Sequence, residues 1–305
     1  MSDRPPITDH SPELQWVDAH HHLWDLSRIE YPWLLAKGEA RFFGQPDPIR
    51  KDYLNAHYGA DTAGKINRSV HVQVGARAGL ELKETDFVNE CSDQTDGRFP
   101  AAAVVAVDLG KHGIEAEIEA HQSYAVTRGV RHMIGKSAEE NRFLPPFKAP
   151  VWAENWHVLS QRGLSFDLQF TEEQYGQVLD ALEQVPDLKV AICHLASPWD
   201  RSVEGFKRWQ RWMKRFAELP NSAMKISGLT MFTKQWDEQE FFRWAEASLE
   251  IFGAERCMLG SNFPVDSLYL SYDQMFSAWQ TLVSRCYPLE ALHLAGRTAE
   301  KFYRI

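Results

Sequence analysis

The stretch Trp16-Val17-Asp18-Ala19-His20-His21-His22-Leu23-Trp24-Asp25 decides how the rest of the chain is read. It is a short apolar run that ends in histidines and carboxylates. As a β-strand it alternates side chains across two faces, so Asp18, His20 and His22 are expected on one face and His21 on the other. Two imidazoles two residues apart on one strand face can hold a single ion or polarise a single substrate. A His-rich tract is by itself only a compositional hint. Its meaning comes from the rest of the chain.

Downstream lies a series of short runs rich in Val and Ile, at fairly even intervals: 69–74, 101–107, 127–134, 164–170, 189–195, 223–229 and 257–263. With the opening run they make eight candidate strands. Between most of them lie segments of helical periodicity, at 171–182, 203–219, 237–252, 272–283 and 289–303. Strands alternating with helices imply a parallel sheet with crossover helices. Eight units closed on themselves give a (β/α)8 barrel, which commonly occupies about 250 residues or more as one domain. No GxGxxG loop follows the first strand, which weighs against a dinucleotide-binding sheet. The reading is a single α/β barrel domain over 1–305, with a flexible tail at 1–14.

Residues 27–64 are the main irregular insertion. They follow the first strand and so belong at the C-terminal mouth of a barrel. Tyr31, Trp33, Phe42, Phe43, Tyr53 and Tyr58 make the insertion aromatic, as in a substrate lid or pocket wall, or a packed surface loop.

Composition narrows the classes. The 305 residues are 44% hydrophobic and 25% charged, which is ordinary for a globular protein. The net charge of −9 is spread without any basic block, which argues against a nucleic-acid partner. No run approaches the roughly 20 apolar residues of a membrane span. Cys91, Cys193, Cys257 and Cys286 show no CxxC spacing and read as reduced, buried residues of a cytoplasmic protein. Trp209, Trp212, Trp236 and Trp244 lie on helix faces, where core packing or a homodimer interface would use them.

The ends of the strands carry chemistry. In an α/β barrel the C-terminal strand ends face the active site, and charged residues are rarely buried in strands without a reason. Here the first strand ends in His20 and His22, and the second carries His71 and Gln73. The fourth carries Arg128, Arg131 and His132, and the fifth Asp167 and Gln169. The sixth ends in Cys193-His194, the seventh carries Lys225 and Ser227, and the eighth ends in Ser261-Asn262, with Asp266 just beyond. Arg131 suits a substrate carboxylate through its planar fork, or an ion pair with Asp167. Lys225 is open between substrate contact and a salt bridge. His71, Gln73 and Gln169 are pocket candidates, with a hydrogen-bonded core role equally open to His71.

The segments Asp18-Ala19-His20-His21-His22-Leu23-Trp24, His194 with Ser197-Pro198, Lys225-Ile226-Ser227-Gly228 and Gly260-Ser261-Asn262-Phe263-Pro264 together resemble the amidohydrolase superfamily. Within it the chain is most similar to the amidohydrolase-2 group of sugar lactonases, 2-pyrone-4,6-dicarboxylate lactonase and sulfomuconolactone hydrolase. The resemblance covers residues 16–303. It implies a barrel whose first-strand HxH pair, sixth-strand His and eighth-strand Asp form the catalytic centre. The first three fall on His20, His22 and His194. The fourth does not, because Asn262 stands where the group has Asp.

Asn262 can neither take a proton from water nor give a metal a full charge, although it can orient water or a carbonyl. Three readings are open. Asp266 supplies the carboxylate from the loop; or His20, His22 and His194 hold one divalent ion, zinc or manganese, as a three-histidine site; or a histidine acts as base without metal. A two-metal centre is disfavoured, because the fourth strand offers no bridging Lys or Glu; Lys136 lies beyond it. The expectation is hydrolysis of a small-molecule lactone bearing a carboxylate, with His194 or Asp266 as proton acceptor. The alternatives are a metal-dependent decarboxylase of an aromatic or unsaturated acid, and a small-acid-binding barrel without turnover.

Overall fold

The computed structural model describes residues 14–134 and 149–305. Eight parallel strands run in chain order around one sheet. They are β1 (Val17–His21), β2 (Arg68–Val72), β3 (Ala102–Ala106), β4 (Thr127–Arg131), β5 (Ser165–Leu168), β6 (Val190–Ile192), β7 (Ser222–Ile226) and β8 (Cys257–Leu259). Two backbone bonds join the end of the last strand to the first: Asn262 N donates to His20 O at 2.7 Å, and His22 N donates to Phe263 O at 2.8 Å. The sheet is thus a nearly closed barrel, as expected. Residues 1–13 of the expected tail, and Lys136, lie outside the described residues. Among the described residues no helix is long and apolar enough to cross a membrane.

Strand alternation sorts the core into two compartments. Val17, Ala19, Val70, Val72, Ala102, Val104, Ala191, Ala223 and Met258 pack inside the barrel with Ala299, Phe302 and Tyr303 from the C-terminal helix Thr298–Tyr303. Their neighbours Ala103, Val105, Val190, Ile192, Met224 and Ile226 pack outward with the helices. This is the two-residue period of a pleated strand read on both faces. The helix Val203–Ala217 buries Trp209, Met213 and Phe216, and Trp209 meets Trp244 of the helix Glu238–Phe252 at 4.9 Å between rings. Those two tryptophans are core residues. Asp237 caps the second helix, its side chain accepting from Gln239 N and Glu240 N.

The strands are shorter than the apolar runs that announced them. The run at 189–195 gives a strand of only Val190–Ile192, and that at 257–263 gives Cys257–Leu259. The missing residues have turned into the loops at the barrel's mouth, where His194 and Asn262 sit.

β1 departs from simple alternation. Its register against β2 shifts between Asp18 and His21, which is a bulge. Ala19 and His20 therefore both lie on the inner side, and Asp18 turns outward. The expectation that Asp18 shares a face with His20 and His22 is corrected by this extra residue. Asp18 accepts from Ser261 N (2.8 Å), Ser261 Oγ (2.6 Å), Tyr58 OH (3.0 Å), Tyr272 OH (3.2 Å) and His20 N (3.2 Å). It staples the end of β8 to β1 and to two helices outside.

Candidate active site

Three histidines converge inside the mouth of the barrel. The His20 ring lies 4.4 Å from that of His194 and 5.1 Å from that of His22, centroid to centroid. All three are buried, and burial is the first cause that drives their pKa values well below the ordinary histidine range; the neighbouring cations Lys225 and Arg131 push the same way. The rings are therefore neutral at pH 7, available as bases or ligands.

Backbone and hydroxyl contacts set their orientation. His22 Nδ1 lies 2.6 Å from Val72 O. A carbonyl only accepts, so Nδ1 carries the proton and Nε2 presents a lone pair. That lone pair faces Asn262 Oδ1 at 3.2 Å. His194 Nδ1 meets Ser227 Oγ at 3.0 Å. Both ring nitrogens of His20 are buried with no hydrogen-bond partner among the described residues. A buried polar atom left open is costly, and such atoms gather where a ligand completes them.

Asn262 is held from behind. Its Nδ2 donates to Asp266 Oδ1 at 2.7 Å, and Asp266 is buried, its pKa pushed up to about 7 chiefly by burial. Asp266 does not reach into the histidine cluster; it stands one amide away and aims Asn262. Asn262 itself adopts φ 56, the left-handed region that asparagine tolerates better than most residues.

Arg131 lies inside the barrel. Its guanidinium donates to Gln169 Oε1 at 3.2 Å and to the backbone carbonyl of Gln73, while its Nε has no partner among the described residues. It does not pair with Asp167, because Lys225 does: Lys225 Nζ lies 2.5 Å from Asp167 Oδ2, both side chains fully buried. Tyr303 OH completes this floor, donating to Asp167 at 2.9 Å. Lys225 is thus in a salt bridge, one of the two roles its position left open.

His71 and the side chain of Gln73 point away from the mouth. They line a small space behind β2 and β3 with Glu84 and Thr85. His71 Nδ1 accepts from Leu23 N at 3.1 Å, and its Nε2 lies 3.8 Å from Glu84. As pocket candidates these two side chains are corrected: Val70 and Val72 hold the inner face of β2, so alternation sends 71 and 73 outward. Only Gln73's carbonyl, through Arg131, touches the site. His21 also faces outward, stacked on Tyr58 at 4.2 Å.

The rim is aromatic. Phe42, from the insertion after β1, lies 5.2 Å from Trp199 of the loop after β6 and 5.9 Å from Phe232 of the loop after β7. Trp33 anchors the insertion, donating to Val74 O at 2.8 Å. Three loops thus share one aromatic wall, of which Trp199 is 44% exposed.

Could these residues hold a metal ion? His22 Nε2 and Asn262 Oδ1 are two acceptors 3.2 Å apart. Two lone pairs facing each other repel, and a cation between them satisfies both. Beside them stand the open nitrogens of His20. The donor set therefore fits one divalent ion of the zinc or manganese type. A tighter cluster also exists lower in the barrel, where one ligand atom each from His20, Asp167 and Cys193 lie within 4.8 Å of one another. There the ammonium of Lys225 already neutralises Asp167, and burial pushes the Cys193 thiol up to about 12, away from the thiolate a metal needs.

The sequence profile of the Amidohydrolase family matches residues 17–305. The chain belongs to the Amidohydrolase family. The protein y4mH of Sinorhizobium fredii is 32% identical over 95% of this chain and 98% of its own length. L-fucono-1,5-lactonase of Burkholderia multivorans is 28% identical, covering 95% of this chain and 96% of its own. A Burkholderia multivorans amidohydrolase structure with bound zinc superposes with a TM-score of 0.78 at 25% identity, covering 95% of this chain and 99% of the other. This amidohydrolase is therefore matched along nearly its whole length.

Proposed function

We propose that this amidohydrolase opens the ring of a lactone, of the sugar-acid or aromatic-degradation kind, by attack of water at the barrel mouth. The observation that carries the reading is the convergence of three neutral, buried histidines, two of them oriented through one ring nitrogen with the other left for chemistry. The lactonase relative supports the choice of a cyclic ester.

His20 and His22, with Asn262 Oδ1, would hold a divalent ion; when bound, it supplies Lewis acidity to water and to the ester carbonyl. His194, fixed by Ser227, accepts the proton of the attacking water and returns it to the leaving alkoxide. Arg131, a buried cation with no carboxylate in hydrogen-bond reach among the described residues, takes the substrate's carboxylate or the developing oxyanion. Gln169 holds Arg131 in place. Asp266 keeps Asn262's oxygen aimed at the centre. The aromatic wall of Phe42, Trp199 and Phe232 covers the ring and excludes water.

The test is a pH-indicator assay of the purified protein against sugar lactones, pyrones and muconolactones, alongside metal analysis. Acid release that disappears in His194→Ala is expected. Carbon dioxide from an aromatic acid, with no acid release from any lactone, overturns the reading in favour of a decarboxylase. Tight binding of small acids with silence in both assays overturns it in favour of a binding protein.

A further inference from the structure

His194, Leu195, Ala196 and Ser197 have φ values of 53°, 54°, 57° and 59°. None is glycine. L-residues enter this left-handed region singly, at a steric cost, and hardly ever in a run of four. Such a run persists only where the surroundings impose it, and strain of this kind gathers at functional sites. The surroundings here are specific. Tyr175, at the start of the helix Tyr175–Leu182, donates its hydroxyl to Ala196 O. Trp209 Nε1 donates to Leu195 O at 2.8 Å. Both donors come from helices outside the sheet and grip consecutive carbonyls of the turn. From the inner side Ser227 Oγ holds the His194 ring, and Gly228 lies so close that a Cβ there would stand 2.3 Å from His194 Nδ1.

We propose that the left-handed turn 194–197 is a strained mount that fixes the His194 imidazole, and that Tyr175 and Trp209 are the positioning residues that clamp it. The proposal rests on the reading of His194 as the proton acceptor. It accounts for a ring held at the barrel's mouth only two residues beyond a three-residue strand. It also explains the buried Ser197 hydroxyl, which has no hydrogen-bond partner among the described residues. That group is tolerated because the turn's path is imposed by its clamps.

Two variants work on the mount from opposite sides. Tyr175→Phe removes one clamp and leaves the ring against Phe170, 4.8 Å away. Ser197→Gly relaxes the turn from within, removing both a left-handed side chain and an unpartnered hydroxyl. For Tyr175→Phe, kcat is expected to fall about tenfold with KM changed less than twofold, as for a lost transition-state interaction. For Ser197→Gly, Tm is expected to rise by roughly 2–4 °C while kcat falls. A merely structural turn would move the two together. The His194 ring nitrogen signals, read by NMR on histidine-labelled protein, are expected to shift or broaden in both variants. Unchanged ring signals in both overturn the proposal whether or not a lactone substrate has been found. An inactive wild type whose variants still perturb the His194 ring sinks the hydrolase reading and leaves the mount standing.

Discussion

The barrel holds two clusters of buried polar groups, one above the other, and they are built on opposite principles. On the floor, Asp167 takes Lys225 at 2.5 Å and Tyr303 at 2.9 Å, and every charge has its partner. At the mouth, His20 has two ring nitrogens with no partner among the described residues, and His22 presents a lone pair to the oxygen of Asn262. Both clusters are buried. The floor satisfies itself; the mouth is complete only with something added. In a core, closed polar networks fix structure and open ones are kept for binding or chemistry.

Substitutions should separate the two. His194→Ala in the mouth is expected to lower kcat/KM by about 10³-fold, within the range for a positioned acid–base group, and to leave Tm nearly unchanged. Lys225→Met on the floor is expected to do the reverse. It leaves Asp167 as an unpaired buried charge, a loss of about 3–5 kcal/mol, visible as a fall in Tm on the order of 10 °C. The double change Lys225→Met with Asp167→Leu should recover much of that loss, since a well-packed apolar pair replaces a buried ion pair at little cost. A double variant as unstable as the single one would show that the floor is more than structural.

The next effect is on pH. Burial raises Asp266 to about 7. Ionised, it accepts from Asn262 Nδ2 and turns Asn262 Oδ1 to the histidines; protonated, it donates to that oxygen and the amide reverses. Activity should therefore rise with pH through about 7. Asn262→Asp removes the donor that favours the ionised form and sets a second carboxyl beside it, so the rise should move more than one pH unit toward alkali. A profile that stays in place would detach Asp266 from the centre. Stability runs on other groups. His20, His21, His22, His71 and His194 all titrate below the unfolded histidine value, chiefly through burial. Their contribution is present above about 6.5 and is lost as pH falls below it. Asp266 and Glu84, both raised to about 7, oppose this: their contribution is present in acid and lost as pH rises toward 7. His121 and His132 are lowered in the same way and Asp18 is raised, all chiefly by burial; seven histidines against three carboxyls should leave a net loss of stability on acidification, measurable as Tm between pH 7 and 5.

Much of the barrel and its site was legible in the residues. Eight Val- and Ile-rich runs gave the barrel, because a pleated strand and its crossover helix have distinct periods. The HxH pair and His194 were legible because a polar residue at the end of an apolar run is conspicuous. The bulge in β1 was not: one extra residue leaves the sequence pattern intact while reversing Asp18. Nor was the outward course of His71 and Gln73, since the second run reads Val-His-Val-Gln-Val and either face could have been the inner one. Alternation fixes which residues share a face, and only closure of the barrel fixes which face is inside. The left-handed turn at 194–197 carries no glycine to announce it; its causes, Tyr175 and Trp209, lie on other elements.

The smallest effect tests whether the Asp18 staple belongs with the floor or with the mouth. Asp18 lies outside the barrel, yet it holds Ser261, the neighbour of Asn262, through two bonds of 2.8 and 2.6 Å. Tyr58→Phe removes a different donor, at 3.0 Å from the other side. Four donors then remain on Asp18, so the loss should be about 1.5 kcal/mol, the lower end of the worth of one hydrogen bond to a charged group. If the staple is only structural, Tm falls by a few degrees and kcat is unchanged within threefold. Ser261→Ala is the counterpart, removing the hydroxyl that ties Asp18 to the strand carrying Asn262. A fall in kcat with Ser261→Ala but not with Tyr58→Phe, at similar Tm, would place Asp18 with the mouth, acting through the aim of Asn262. Equal losses of Tm with kcat unchanged in both would place it with the floor.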